Sequence, residues 1–172
     1  MHLYLIGYRG SGKTTVAKEL SHKLGLAYVD TDQWIAKQTG MLIRDIFEQQ
    51  GEAAFREQEC EAICHAAAQP SQIISLGGGA ILRAENRLVI QKTGKAIWLI
   101  ASPEELARRI EADLASSTQR PSLTGQSVLA EISSVLAVRR PLYEGVADWV
   151  ISTEGASLME ITSQIAAWFS KI

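Results

Sequence analysis

Residues 7–14, Gly7-Tyr8-Arg9-Gly10-Ser11-Gly12-Lys13-Thr14, constrain this chain more than any other stretch. They match G-x-x-x-x-G-K-[ST], the loop that cradles phosphate in nucleotide-binding proteins. An apolar run, Leu3-Tyr4-Leu5-Ile6, precedes the loop, and Val16, Leu20 and Leu24 follow it at four-residue spacing on one helical face. Strand, glycine loop and helix in that order give the motif a mechanism. The glycines let backbone N–H groups close on phosphate oxygens, where a Cβ would stand in the way. The helix beginning near Gly12 turns its partial positive end toward the same oxygens. Lys13 adds a point charge for the β- and γ-phosphates, and Thr14 offers a hydroxyl to Mg²⁺. The competing reading is a glycine turn beside a solvated lysine, and the matched flanks weigh against it.

A chain of 172 residues is expected to form one domain with a real core. Its 47% hydrophobic and 21% charged residues are ordinary for a soluble protein. The net charge of −2 gives no global attraction to nucleic acid or to an anionic membrane, so any anion site must be a local cluster. There is no signal-like start and no apolar run of about 18 residues, which predicts a cytoplasmic protein. Cys60 and Cys64, with His65 beside them, have no second pair to complete the roughly four ligands of a zinc site. They read as reduced cysteines in or near the core.

Along the chain, helix one should run from Gly12 to Leu24 and stop at Gly25. Ala27-Tyr28-Val29-Asp30 reads as a short strand ending on a carboxylate, with Asp32 two residues on. Carboxyl ends of parallel strands face the ligand crevice, and a helix cap over Gln33–Thr39 explains one of these acids but not both. Ile43, Ile46 and Phe47 give a helical period to Gln50, Gly51 breaks it, and a helix follows from Glu52 to Ala68. That helix carries Phe55 inward, with Arg56 and Glu59 spaced to pair. The strand Ile73-Ile74-Ser75-Leu76 runs into Gly77-Gly78-Gly79, either a close approach to a ligand or a sharp exit turn.

A helix over Arg83–Lys92 and the apolar strand Ala96–Ala101 come next. Ser102-Pro103-Glu104-Glu105 has the form of a capping box with proline at N1. The helix it opens fades near Asp113 into a polar, turn-rich segment, a length of loop often used as a lid. Leu129–Leu142 is helical, with Pro141 expected to kink or end it. Asp148–Ile151 reads as the fifth strand, and Ser157 to Glu160 is a second capping box. Its helix places Leu158, Ile161, Ile165, Trp168 and Ile172 on one face. Strands alternating with helices predict an α/β fold, a three-layer αβα P-loop domain with a five-stranded parallel sheet. A single domain spanning 1–172 is expected, with a mobile lid at approximately 113–125; strand order stays open.

Six elements in order resemble the shikimate kinases, a P-loop family like the nucleoside-monophosphate kinases. They are Gly10-Ser11-Gly12-Lys13-Thr14-Thr15, Asp30-Thr31-Asp32, Phe55-Arg56 with Glu59, Gly77-Gly78-Gly79, Arg120-Pro121 with Leu123 and Gly125, and Arg139 with Leu142-Tyr143. The resemblance implies ATP-dependent phosphorylation of the 3-hydroxyl of shikimate, in aromatic amino-acid (chorismate) biosynthesis, by a monomer that needs Mg²⁺ and binds neither nucleic acid nor membrane. It implies that Gly10, Ser11, Gly12, Lys13, Thr14 and Thr15 hold the nucleotide, and that Thr14 and Asp30 hold the metal. Lys13, Asp32 and Arg120 are implied as catalytic, with Asp32 on the accepting hydroxyl and Arg120 closing over the phosphates. Arg56 and Arg139 are implied to clamp the shikimate carboxylate, Gly78 to contact the ring, and Glu59 to orient Arg56.

Arg109 is implied to cover the adenine, with Arg108 a rival on helical phase. Arg140 adjoins Arg139, and the three-residue gap from Arg139 to Tyr143 selects Arg139. The segment before Arg120 is longer than in short members of the family, and Ser152-Thr153-Glu154-Gly155 lacks the basic residue that some members carry. Two other readings compete: a small-polyol kinase such as one for gluconate, and a non-catalytic nucleotide-binding relative. The arginine pair favours a carboxylate-bearing acceptor, and intact Asp32, Arg56, Arg120 and Arg139 favour catalysis.

Overall fold

The computed structural model describes residues 1–114 and 127–172. The elements are β1 (His2–Ile6), α1 (Lys13–Leu24), β2 (Ala27–Asp30), α2 (Thr31–Thr39), α3 (Ile43–Ala67), β3 (Gln72–Ser75), a 3-10 turn (Ala80–Leu82), α4 (Ala84–Thr93), β4 (Gly94–Ile100), α5 (Pro103–Leu114), α6 (Val128–Glu144), β5 (Trp149–Ser152) and α7 (Leu158–Phe169). The strands form one parallel sheet in the order β2-β3-β1-β4-β5. The chain steps from β1 out to one edge, returns through β3, and crosses β1 to reach β4. The strand order therefore reverses beside β1, and a crevice opens at the carboxyl ends of the strands there. The phosphate loop leaves β1 at that point.

Alternation along the buried strands builds both faces. Tyr4, Ile6, Ile74, Ala96 and Trp98 pack against Ile63 and Ala66 of α3, Ile90 of α4 and Tyr143 of α6. Leu3, Leu5, Ile73, Ile97, Leu99 and Ile151 pack on the other face against Val16 and Leu20 of α1 and Ile161 and Ile165 of α7. This is the expected three-layer arrangement. Leu5 is fully buried in the second cluster, and Leu5→Ala would cost about 2–5 kcal/mol in lost burial and cavity. A smaller cluster of Ile35, Ile46, Phe55 and Ala62 joins α2 to α3. Another, of Tyr8, Leu106, Ala107, Ile110 and Ile132, seats α5 and α6 beside the phosphate loop.

Several local expectations change. Helix α2 starts at Thr31 rather than Gln33, because Asp30 Oδ1 accepts the N–H groups of both Asp32 and Gln33. The break expected at Gly51 is present: its backbone, at φ 83°, is non-helical and separates the two halves of α3. Pro141 does not end α6, which runs on to Glu144. A proline this close to the helix end removes one bond, and burying Tyr143 at 1% exposure outweighs that loss.

The box at Ser102 is only half made. Ser102 Oγ accepts the Glu105 N–H, but the Glu105 carboxylate turns to Arg108 and Arg109. Glu154 takes the Ser102 N–H instead. The Ser157–Glu160 box is complete. Ile172 lies past the end of α7 and is exposed, not on its apolar face. Asp113 and Leu114 still belong to α5. The rest of the expected lid, with Arg120, lies outside the described residues.

Candidate active site

A cleft of about 590 Å³ lies over the carboxyl ends of β1, β2 and β3. Its wall includes Gly10, Gly12, Lys13, Thr14 and Thr15 from the loop and the start of α1, Asp30 from the end of β2, Asp32 from the first turn of α2, and Gly78 and Arg109. Ser11 is buried within the loop itself, 1% exposed. Gly12 holds φ at 88°, a left-handed conformation that glycine adopts without steric cost, immediately before α1 begins. Lys13 Nζ donates to the carbonyls of Gly7 and Tyr8 at 2.9 and 2.8 Å, so the ammonium is carried inside the loop.

Asp30 ties this loop to the sheet. Its Oδ2 accepts from Thr14 Oγ1 at 2.6 Å and from Ser75 Oγ at 3.0 Å. Its Oδ1 caps α2. The acid thus caps the helix and also lines the cleft, and the cap leaves Asp32 in the first turn of α2. Thr31, fully buried between them, donates to the Ser75 carbonyl at 3.3 Å and accepts the Gly77 N–H at 3.1 Å. Sequence reasoning missed Ser75 and Thr31. Their signal was position alone: one ends the strand before the glycine turn, and the other separates two acids.

The triple glycine is a matter of room for the protein's own groups. A Cβ at Gly77 would stand 2.7 Å from Asp32 Oδ1 and 2.8 Å from Glu59 Oε1. One at Gly79 would fall on the Arg56 guanidinium. One at Gly78 would crowd the backbone of Arg9 and Gly7 in the phosphate loop, at 3.3 and 3.4 Å. Three segments therefore close on one turn. Arg56 pairs with buried Glu59 and with more exposed Glu52, each at 2.9 Å. Burial works against its charge, but Glu59 and Glu52 together outweigh this and raise its pKa further.

Arg139 reaches the same turn from α6, where its Nη1 donates to the Gly78 carbonyl at 3.1 Å. Arg140 points elsewhere, over the Trp98 ring and toward Glu144, and is largely exposed. Arg56 and Arg139, 83 positions apart in sequence, thus meet at one glycine turn. Helical phase also separates Arg109 from Arg108. Arg109 donates to the Gly10 carbonyl, to Thr153 Oγ1 and to the Thr153 carbonyl, binding α5 to the phosphate loop and to the loop after β5. Arg108 is 69% exposed and pairs only with Glu105 among the described contacts. Hydrogen bonds from Arg108 and then Arg109 hold the Glu105 carboxyl down at about 2.

Two arginines thus converge on a glycine turn whose middle residue packs against the phosphate loop, though neither arginine lines the cleft wall itself. Comparison with known proteins gives the family. A family model described as "Shikimate kinase" matches residues 9–170. The chain belongs to the shikimate kinase family. It is 43% identical over 164 residues to the shikimate kinase of Rhodopirellula baltica, covering 95% of this chain and 88% of that one. It is 40% identical over 165 residues to the shikimate kinase of Symbiobacterium thermophilum, covering 96% and 94%. Its fold superposes with a TM-score of 0.91 on a solved shikimate kinase from Acinetobacter baumannii in complex with shikimate, at 30% identity over 99% of this chain and 93% of that one.

As a shikimate kinase family member, the chain has the expected P-loop fold and is a kinase. The Ser152–Gly155 loop, which lacks a basic residue, is anchored differently from a direct cationic contact. Arg109 reaches across from α5 to hold Thr153, and Glu154 caps α5 at Ser102. Thr153 was absent from the sequence-derived site because a lone threonine in a polar loop carries no signal.

Proposed function

We propose that this chain transfers the γ-phosphate of ATP to the 3-hydroxyl of shikimate. The carrying observation is that Arg56 and Arg139 converge on Gly77–Gly79, whose middle glycine packs on the phosphate loop. A carboxylate gripped there would lie within one cleft with the nucleotide phosphates. Planar guanidinium groups suit a planar carboxylate and give it orientation as well as charge.

The roles follow from position. The loop residues Gly10, Ser11, Gly12 and Thr15 surround the phosphates, and Lys13 turns from its carbonyl rests toward the β- and γ-oxygens. Arg109, held in place by Gly10 and Thr153, offers the face of its guanidinium to the adenine. Asp32 accepts a hydrogen bond from the acceptor hydroxyl and takes its proton as the oxygen attacks. The new P–O bond forms on that oxygen, the bond to the bridging oxygen of ADP breaks, and ADP leaves with the electron pair. Arg120, outside the described residues, is assigned to the transferring group by the family resemblance alone.

Mg²⁺ fits the donors present. Thr14 Oγ1 and Asp30 are hard oxygen ligands already 2.6 Å apart, and Mg²⁺ is commonly held by one or two carboxylates together with substrate phosphates. Bound there, the ion would neutralise charge building on the phosphates.

The reading includes a monomeric, cytoplasmic enzyme acting on small molecules. Among the described residues no helix is long and apolar enough to cross a membrane. The deciding experiment is ADP release coupled to NADH oxidation, with ATP, Mg²⁺ and shikimate. Shikimate-dependent turnover is expected. ADP release that ignores shikimate, or responds equally to gluconate, would overturn the assignment.

A further inference from the structure

Tyr143 belongs to the last of the motif elements, yet the reaction gives it no task. It sits on α6 one turn after Arg139, so both residues share a face of the helix. Its side chain is 1% exposed. Its hydroxyl donates to the Gly78 carbonyl at 2.6 Å, the same oxygen that takes Arg139 Nη1. A carbonyl has two lone pairs, and this pair of donors uses both. The Tyr143 ring stacks on Trp98 with centroids 5.2 Å apart and planes 15° apart. Arg140 lies over the Trp98 ring at 5.9 Å. The ring that carries the hydroxyl is therefore fixed by packing, not merely by its own hydrogen bond.

We propose that Tyr143 is a positioning residue for the acceptor carboxylate: its hydroxyl pins the Gly78 carbonyl and also meets the Arg139 side chain, and so sets the guanidinium both directly and through that oxygen. This rests on the shikimate kinase reading above. An arginine on a helix surface samples many rotamers, and one donor anchored on a fixed oxygen removes most of them. Five donors are available on a guanidinium, so one on Gly78 leaves others for a carboxylate. Burial pushes the Tyr143 hydroxyl well above its ordinary range, so it remains a protonated donor around neutral pH. The same bond sets Gly78 itself, which packs against the phosphate loop, and so links acceptor and nucleotide sides of the cleft.

The test is Tyr143→Phe, which keeps the ring, the volume and the Trp98 stack and removes only the hydroxyl. The KM for shikimate should rise about 3- to 10-fold, the worth of one net hydrogen bond, with kcat and the KM for ATP within about twofold. In an Arg139→Lys background the added loss should shrink below about twofold, because the group being positioned is already compromised. Trp98→Leu frees the ring and spares every hydrogen bond, so it should move the shikimate KM in the same direction by less. It also serves if Tyr143→Phe does not fold. Equal losses for both substrates, full additivity with Arg139→Lys, or an unchanged shikimate KM in a folded variant would overturn the proposal. Wild-type protein without shikimate-dependent turnover would sink the function and this inference together. An active wild type beside a silent Tyr143→Phe would sink this inference alone.

Discussion

Thr14 donates its hydroxyl to Asp30 Oδ2 at 2.6 Å, joining the first turn of α1 to the end of β2. The bond places a strand-end carboxylate beside the phosphate loop while its other oxygen caps α2. One side chain thus ties the phosphate loop and caps α2 at once, and in the proposed reaction this separates it from Asp32.

Asp30→Asn keeps a good helix cap and removes the charge. The Mg²⁺ concentration for half-maximal activity should rise by about 10- to 100-fold, with thermal stability little changed. Asp32→Asn should leave that Mg²⁺ requirement alone and lower kcat by about 10²- to 10⁴-fold, as expected for loss of a proton acceptor. Superimposable Mg²⁺ titrations of the two variants would refute this division.

Lys13→Met removes the cation carried by the Gly7 and Tyr8 carbonyls. Turnover should fall by at least about 10²-fold, the scale of losing one preorganised donor to a transferring group. Shikimate affinity measured by calorimetry without ATP should stay within about twofold, since Arg56 and Arg139, the proposed clamp, lie on α3 and α6. Near-normal turnover would show that the loop does not act on phosphate.

Arg109 and Arg108 are neighbours that the fold sends in different directions. Arg109→Ala should raise the KM for ATP about tenfold, by removing both the guanidinium face and the tie to Thr153. Arg108→Ala, at an exposed ion pair, should change it less than about twofold. The reverse pattern would place the adenine on the other side of α5.

Arg139→Lys keeps the charge and loses the planar fork. Shikimate binding should weaken about 10- to 150-fold, corresponding to roughly 1.5–3 kcal/mol for one charge-assisted hydrogen bond. Arg140→Lys should be nearly silent on shikimate, because that guanidinium lies over Trp98 and not at the turn. Loss of shikimate binding in Arg140→Lys alone would reverse the assignment across Pro141.

Glu105 gives a pH signature. Its carboxyl is held at about 2 in the folded chain by Arg108 and then Arg109, against an ordinary value of 4.5. A depressed carboxyl stabilises the fold above its ordinary range, and that contribution fades as pH falls from about 4.5 toward about 2. The Tm difference between wild type and Glu105→Gln should be present at pH 6, narrow below about pH 4.5 and vanish near pH 2. It should be small and sensitive to salt, because the carboxylate and Arg108 are near the surface. A difference that does not vary with pH would show that Glu105 acts through packing.

The amino-acid sequence alone pointed to the phosphate loop, the alternation of strands and helices, and an acid at the end of β2. These are local properties: glycine where backbone must close on oxygen, apolar periods that choose strand or helix, and an acid at a strand end. It could state that Asp30, Asp32, Arg56 and Arg139 belong together only through resemblance, since nothing local brings α3 and α6 to one turn. The folded chain settled strand order, because pairing partners depend on how crossovers pack. It showed that Gly77 and Gly79 make room for Asp32, Glu59 and Arg56, a long-range steric demand invisible in three successive glycines. It chose Arg109 over Arg108 and Arg139 over Arg140, since helical phase becomes fixed only when a neighbouring element is in place. It carried α6 through Pro141, where burying Tyr143 outweighed a local preference. It turned Glu105 from its expected cap toward two arginines, because an available charged partner binds a carboxylate more strongly than one backbone N–H.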